Sequence, residues 1–169
     1  LNAIYSKTGM KTYMGPSYSS FKMDALQDYQ TESWLKAVSQ TSYELTPSEK
    51  WGDNAWYLPD APLTFHEAEW KVYHHGQAQA TVIGGNLSTF SLLRGTPYAP
   101  TDENYVLFVE EAEEDDYVEF DRNLAALLQA YPNPQALLIG RFPKECQMTE
   151  ELLLYILDKH PILKTIPVL

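Results

Sequence analysis

The chain has 169 residues, of which 44% are apolar, 21% charged and 13% aromatic, so a buried core is affordable and disorder, collagen-like repeats and coiled coils are excluded. Twelve basic residues stand against 23 acidic ones, and the resulting charge of −11 repels nucleic acid and anionic membrane surfaces. No apolar run approaches the roughly eighteen residues a spanning helix needs, and the single Cys146 excludes an internal disulfide framework and suits a reducing, cytoplasmic setting.

In chain order, Leu1 to Thr8 reads as the last turns of a helix, with Lys7 in the final turn and Gly9 as a left-handed C-cap. Lys11 to Met14 is extended and Gly15-Pro16-Ser17 a turn. Asp28 to Gln40 has helical periodicity through Tyr29, Trp34, Leu35 and Val38. Thr46 to Pro62 is broken by Pro47, Gly52, Pro59 and Pro62 and reads as a loop. Strands are expected near Trp70–His74 and Ala78–Ile83, joined around Gly76. Gly84-Gly85-Asn86 then opens a helix over Leu87–Leu93 that Gly95 closes. Tyr105 to Val109 is a continuous apolar run, the mark of a strand covered on both faces. Asp116 to Ala130 is an amphipathic helix with Phe120, Leu124, Leu127 and Leu128 inward. Ala136–Ile139 is a strand closed by Gly140. Thr149 caps a helix through Lys159, and a last strand begins at Thr165. Strand and helix alternate through this second half, so part of the sheet should be parallel. The apolar run Ile166-Pro167-Val168-Leu169 looks like a buried strand interrupted midway. With the opening half-helix, it leads us to expect an internal piece of a longer protein.

Among residues able to carry chemistry, His74 and His75 are adjacent and face opposite sides of any strand, while His66 and His160 lack partners at metal-ligand spacing. No metal and no cofactor are expected. Cys146 lies before a helix start, but a lone loop cysteine is more simply structural. Most of the acid run from Glu110 to Asp121 reads as solvated charge, partly at a helix N-terminus. Glu110 differs, because it ends the buried strand, and ligands of parallel sheets gather beyond the carboxyl ends of the strands. A carboxylate there can orient an imidazole and stabilise its cation. Gly84-Gly85-Asn86 suggests either a junction where two glycines let another backbone or a ligand come close, or a tight turn with Asn86 as helix N-cap. Trp51 and Trp56, in a long polar loop, either pack down as a lid or face a flat ligand.

Several blocks resemble the LD-carboxypeptidases. They are Gly84-Gly85-Asn86-Leu87-Ser88-Thr89, Leu92-Leu93-Arg94-Gly95-Thr96-Pro97-Tyr98, Leu107-Phe108-Val109-Glu110-Glu111, Phe120-Asp121-Arg122-Asn123-Leu124, Ile139-Gly140-Arg141-Phe142 and Ile166-Pro167-Val168. Ser48-Glu49-Lys50-Trp51 and Asp53-Asn54-Ala55-Trp56-Tyr57-Leu58 are most similar to the branch of the microcin C immunity peptidases. The resemblance implies an α/β fold: the swivelling β/β/α C-terminal domain of such a protein, a mixed sheet with flanking helices. It implies that residues 1–40 are the tail of an N-terminal α/β domain with a linker, and residues 41–169 the swivelling domain. It implies a serine peptidase with a Ser-Glu-His triad, Glu110 falling on the glutamate. Asn86 and Gly85 then fall near the substrate, and Trp51, or else Trp56, on the aromatic that stacks on a nucleobase.

The family's serine precedes a helix like Leu1–Thr8, and its histidine follows the Ile-Pro-Val strand. This chain carries one triad member and by itself should be inactive. The substrate would be a peptidyl or aminoacyl nucleotide of the microcin C type, or the L,D bond of a murein tetrapeptide. A homodimer of the full-length protein is also implied. The alternatives from the residues are a non-catalytic peptide-binding module on the same fold, or a simple dimerisation domain.

Overall fold

A computed structural model describes residues 1–23, 25–52, 58, 60, 62 and 64–169. In chain order the elements are α1 (Asn2–Thr8), a 3-10 turn (Tyr18–Lys22), α2 (Gln27–Ser39), β1 (Lys50–Trp51), β2 (His66–Glu67), β3 (Thr81–Asn86), α3 (Leu87–Ser91), β4 (Tyr105–Glu110), α4 (Tyr117–Ala130), β5 (Ala136–Ile139), a 3-10 turn (Lys144–Cys146), α5 (Glu150–Asp158) and a 3-10 turn (Pro161–Lys164). They form two compact units, Leu1–Lys11 with Lys71–Leu169, and Thr12–Trp70. These units describe packing, whereas the expected division after residue 40 concerns the domains of the family.

The larger unit is built on a parallel sheet of order β3-β4-β5. The apolar run Val106-Leu107-Phe108-Val109 makes β4 the central strand, because its side chains need cover on both faces. Parallel pairing sets Ile83 opposite Leu107, and Leu107 opposite Leu137. That row joins Phe120, Leu124 and Leu127 of α4 and Ile156 and Leu157 of α5 in one buried cluster. Each fully buried Leu contributes roughly 1.5–3 kcal/mol of transfer free energy. Asp116 caps α4 by accepting from the Val118 and Glu119 N–H groups, and Thr149 caps α5 by accepting from Leu152.

Beyond β5 the sheet is mixed. Leu137 N–H donates to Pro167 O and Leu169 N–H to Leu137 O, while Val168 pairs antiparallel with His74. Two expectations change here. Trp70–His74 and Ala78–Ile83 do not form a hairpin around Gly76: the second strand lies further on, as β3, and pairs with β4. His74 pairs instead with Val168, and a Cβ on Gly76 would lie 2.6 Å from Pro167 Cγ, so this glycine admits the proline. The last strand does not start at Thr165, which closes a 3-10 turn by donating to Ile162 O.

At the free edge of β3, the Asn2 amide donates to Gly84 O at 2.6 Å and accepts from Gly84 N–H at 3.0 Å. A side chain thus substitutes for a neighbouring strand, which protects an exposed edge. Gly9 ends α1 in the left-handed region, φ 69°, as its position in the sequence predicts.

In the smaller unit Phe21 meets Trp34 edge-on at 5.8 Å, and Tyr29 donates to Thr46 O at 2.7 Å. The expected loop over 46–62 contains β1, which pairs antiparallel with β2 and sets Trp51 opposite His66.

Candidate active site

Parallel pairing of β3 with β4 places Asn86 directly opposite Glu110, at the carboxyl end of the sheet. This is where ligands of such sheets bind. Successive residues of β4 alternate faces, so Glu110 shares its face with Val106 and Phe108. Its carboxylate is half-buried and accepts no hydrogen bond among the described residues. Burial raises its pKa above that of a free glutamate. On the far side, Gly140 N–H donates to Val109 O at 2.7 Å, and a Cβ on Gly140 would stand 2.9 Å from Glu110 Cβ. Gly140 therefore leaves the room in which Glu110 sits, a role beyond the strand closure read from sequence.

Asn86 is the N-cap of α3: its Oδ1 accepts from Thr89 N–H at 2.9 Å and from Ser88 Oγ at 3.0 Å. The Nδ2 group has no partner among the described residues and stays available as a donor beside Glu110. Both readings of Asn86 from sequence, as a cap and as a ligand contact, are compatible with this geometry. Gly84 and Gly85 are not the junction itself. They lie inside β3 with φ of 129° and 139°, values closed to other residues. A Cβ on Gly84 would fall 1.8 Å from Phe108 O, so β3 reaches its register with β4 only with glycine there.

Glu111 is the residue the sequence reading missed. The acid-run reading counts it as solvated charge, yet it is 7% exposed and, among the described residues, neither carboxylate oxygen has a hydrogen-bond partner. Burial, then the neighbouring Asp115 and Glu119, push its pKa up to about 8. The signal was the period-two pattern of the strand: Leu107 and Val109 face the core, and Glu111 is next in that row.

Cys146, His74 and His160 have structural surroundings in this geometry. Cys146 is buried, donates to Ala112 O at 3.2 Å, and is held as a thiol by burial and by nearby acidic groups. His74 Nδ1 lies 2.8 Å from Ile166 O, and His160 is kept neutral by burial. No group of His, Cys, Asp and Glu among the described residues can hold a metal ion. In the smaller unit Trp51 is half-buried, its ring 4.9 Å from that of His66. Trp56 lies outside the described residues.

Residues 79–169 match the family profile described as the LD-carboxypeptidase C-terminal domain. The chain belongs to the LD-carboxypeptidase family. It is 38% identical to the putative carboxypeptidase YocD of Bacillus subtilis (strain 168), over 99% of this chain and 53% of that protein. The crystal structure of an MccF-like protein from Bacillus anthracis str. Ames superposes with a TM-score of 0.91 at 36% identity, over 99% of this chain and 53% of the other. The microcin C7 self-immunity protein MccF, in complex with aspartyl sulfamoyl adenosine, superposes at 0.78 with 26% identity, over all of this chain and 54% of the other. The chain spans about half the length of the curated relatives it matches. The LD-carboxypeptidase fold, a parallel sheet extended into a mixed one and flanked by helices, is the one expected from the sequence. Among the described residues no helix is long and apolar enough to cross a membrane.

Proposed function

We propose that this protein is a serine-type carboxypeptidase in which Glu110 orients the catalytic histidine. The serine and histidine would come from outside residues 1–169. The observation that carries the reading is the Glu110 carboxylate: half-buried, at the carboxyl end of β4, with the Asn86 amide opposite and, among the described residues, no hydrogen-bond partner on the carboxylate or on Asn86 Nδ2. In such a triad the serine attacks the amide carbonyl. The histidine takes its proton and passes it to the leaving amine, and the carboxylate fixes the imidazole and stabilises its cation. Asn86 Nδ2, with Gly85 behind it, would contact the substrate. A chain with the glutamate alone would be inactive.

The substrate class we favour is a peptidyl or aminoacyl nucleotide of the microcin C type, with Trp51 stacking on the base, or Trp56 in its place. A neighbour of this fold holds aspartyl sulfamoyl adenosine. Trp51 already packs one ring against His66 and so offers a rigid aromatic surface. Hydrolysis of the L,D bond of a murein tetrapeptide is the second substrate. A non-catalytic peptide-binding module is the alternative of another class. The protein would be a cytoplasmic homodimer that needs no cofactor.

The test is to assay the protein, with both flanking regions its gene encodes, on an aminoacyl nucleotide amide and on a murein tetrapeptide. Wild type should cleave the first. Trp51→Ala should lose roughly 5- to 150-fold on the nucleotide alone, since base–aromatic stacking is worth about 1–3 kcal/mol. Equal losses on both substrates remove the stacking role, and binding without cleavage of either favours the module.

A further inference from the structure

Glu111 follows Glu110 and faces the other way, into the side of the sheet that α4 covers. It is more than nine-tenths buried, and among the described residues both its oxygens lack hydrogen-bond partners. The titratable groups that face it are Asp115 in the following turn, Glu119 on α4 and the Cys146 thiol from the 3-10 turn Lys144–Cys146. Asp115 N–H donates to Ala112 O, so the chain turns back on itself directly after Glu111. Cys146 donates to the same Ala112 O at 3.2 Å and ties this turn to the segment after β5.

We propose that Glu111 is a positioning residue: as an uncharged acid packed under the Glu110–Asp116 turn, it holds the end of β4, and with it Glu110, in place. As an anion it would be a buried carboxylate opposite two others, an arrangement that costs far more than a surface charge. A proton taken from solvent converts the clash with Asp115 into a hydrogen bond donated by Glu111. Losing that proton drives the side chain out. Glu111 and Glu110 share a peptide bond, so its exit moves the strand end that Gly140 N–H holds on the β5 side by donating to Val109 O. The site would then be open for business at neutral pH and loosened in base. This inference rests on Glu110 being the histidine-orienting carboxylate.

The experiment follows the carboxyl carbons of ¹³C-glutamate-labelled protein, and the hydrogen-exchange protection of the Gly140 amide, from about pH 5 to 10. One carboxyl should titrate with a midpoint near 8 and be absent in Glu111→Gln. Gly140 protection, corrected for intrinsic exchange, should fall through that midpoint in wild type and stay level in Glu111→Gln. An ordinary carboxyl midpoint for Glu111 overturns the proposal. So does a midpoint near 8 with unchanged Gly140 protection, or the same fall in both proteins. If Glu111→Gln does not fold, Asp115→Asn decides. It should lower the Glu111 midpoint, and an unmoved midpoint counts against the pairing. None of these readouts needs turnover, so an active Glu110→Gln enzyme would be a separate failure, that of the catalytic reading.

Discussion

The two adjacent glutamates at the end of β4 titrate in different surroundings, and the folding linkage of Glu111 follows from that. Its folded pKa, about 8, lies above the value near 4.5 in the unfolded chain. The native state therefore binds the extra proton between those values, and stability falls as pH rises through that window. Glu111→Gln should flatten that decline, which denaturant melts at pH 5 and 8 would reveal. Asn86 allows a cleaner separation of structure from function. Asn86→Ala removes the α3 cap and should cost about 0.5–2 kcal/mol. Asn86→Asp keeps an oxygen for Thr89 N–H but replaces the free donor with a charge beside Glu110. Near-normal stability with impaired substrate binding is the expected result, and unchanged binding would make Asn86 a cap alone. Glu110 was legible from its place after an apolar run. Glu111 was not, because a run of acids masks a period-two pattern that continues one residue beyond the strand.

At the scale of elements, patterns that are local were readable and pairings that are remote were not. The strand Ala136–Ile139, the Thr149 cap and the Gly9 C-cap follow from neighbouring residues, and the structure has each of them. The pairing of His74 with Val168 links residues far apart in sequence, and no periodicity at 70–74 names such a partner. Likewise Gly84-Gly85 reads from sequence as either a turn or a place where another backbone comes close. Here it serves a strand whose backbone passes against Phe108 O. Gly84→Ala should accordingly destabilise the protein by several kcal/mol, since both the φ and the contact are closed to alanine. Thermal melts of the variant would check this, and a Tm within a degree or two of wild type would mean that the β3–β4 register has slack.

For the whole molecule, the order of the sequence blocks pointed to the family that the comparisons show, and with it to the fold. The site was legible in outline only. Sequence placed Glu110 and Asn86 at strand ends, but their direct opposition depends on a parallel register that no local signal sets. The role of Trp51 remained a choice between lid and ligand platform, because tertiary neighbours such as His66 decide which face of an indole is covered. The central claim is that Glu110 serves as the triad carboxylate. The measurement that tests it most directly is kcat/KM against pH for the protein with both flanking regions its gene encodes. Wild type, Glu110→Gln and, as a control from the same acid run, the exposed Glu113→Gln would be compared. Glu110→Gln should fall by about 10³–10⁴-fold, the scale seen when a triad carboxylate becomes an amide. The acid limb of the wild-type profile should report protonation of the triad histidine, the base that takes the serine proton. Glu113→Gln should match wild type. Turnover by Glu110→Gln at the wild-type rate would contradict the account.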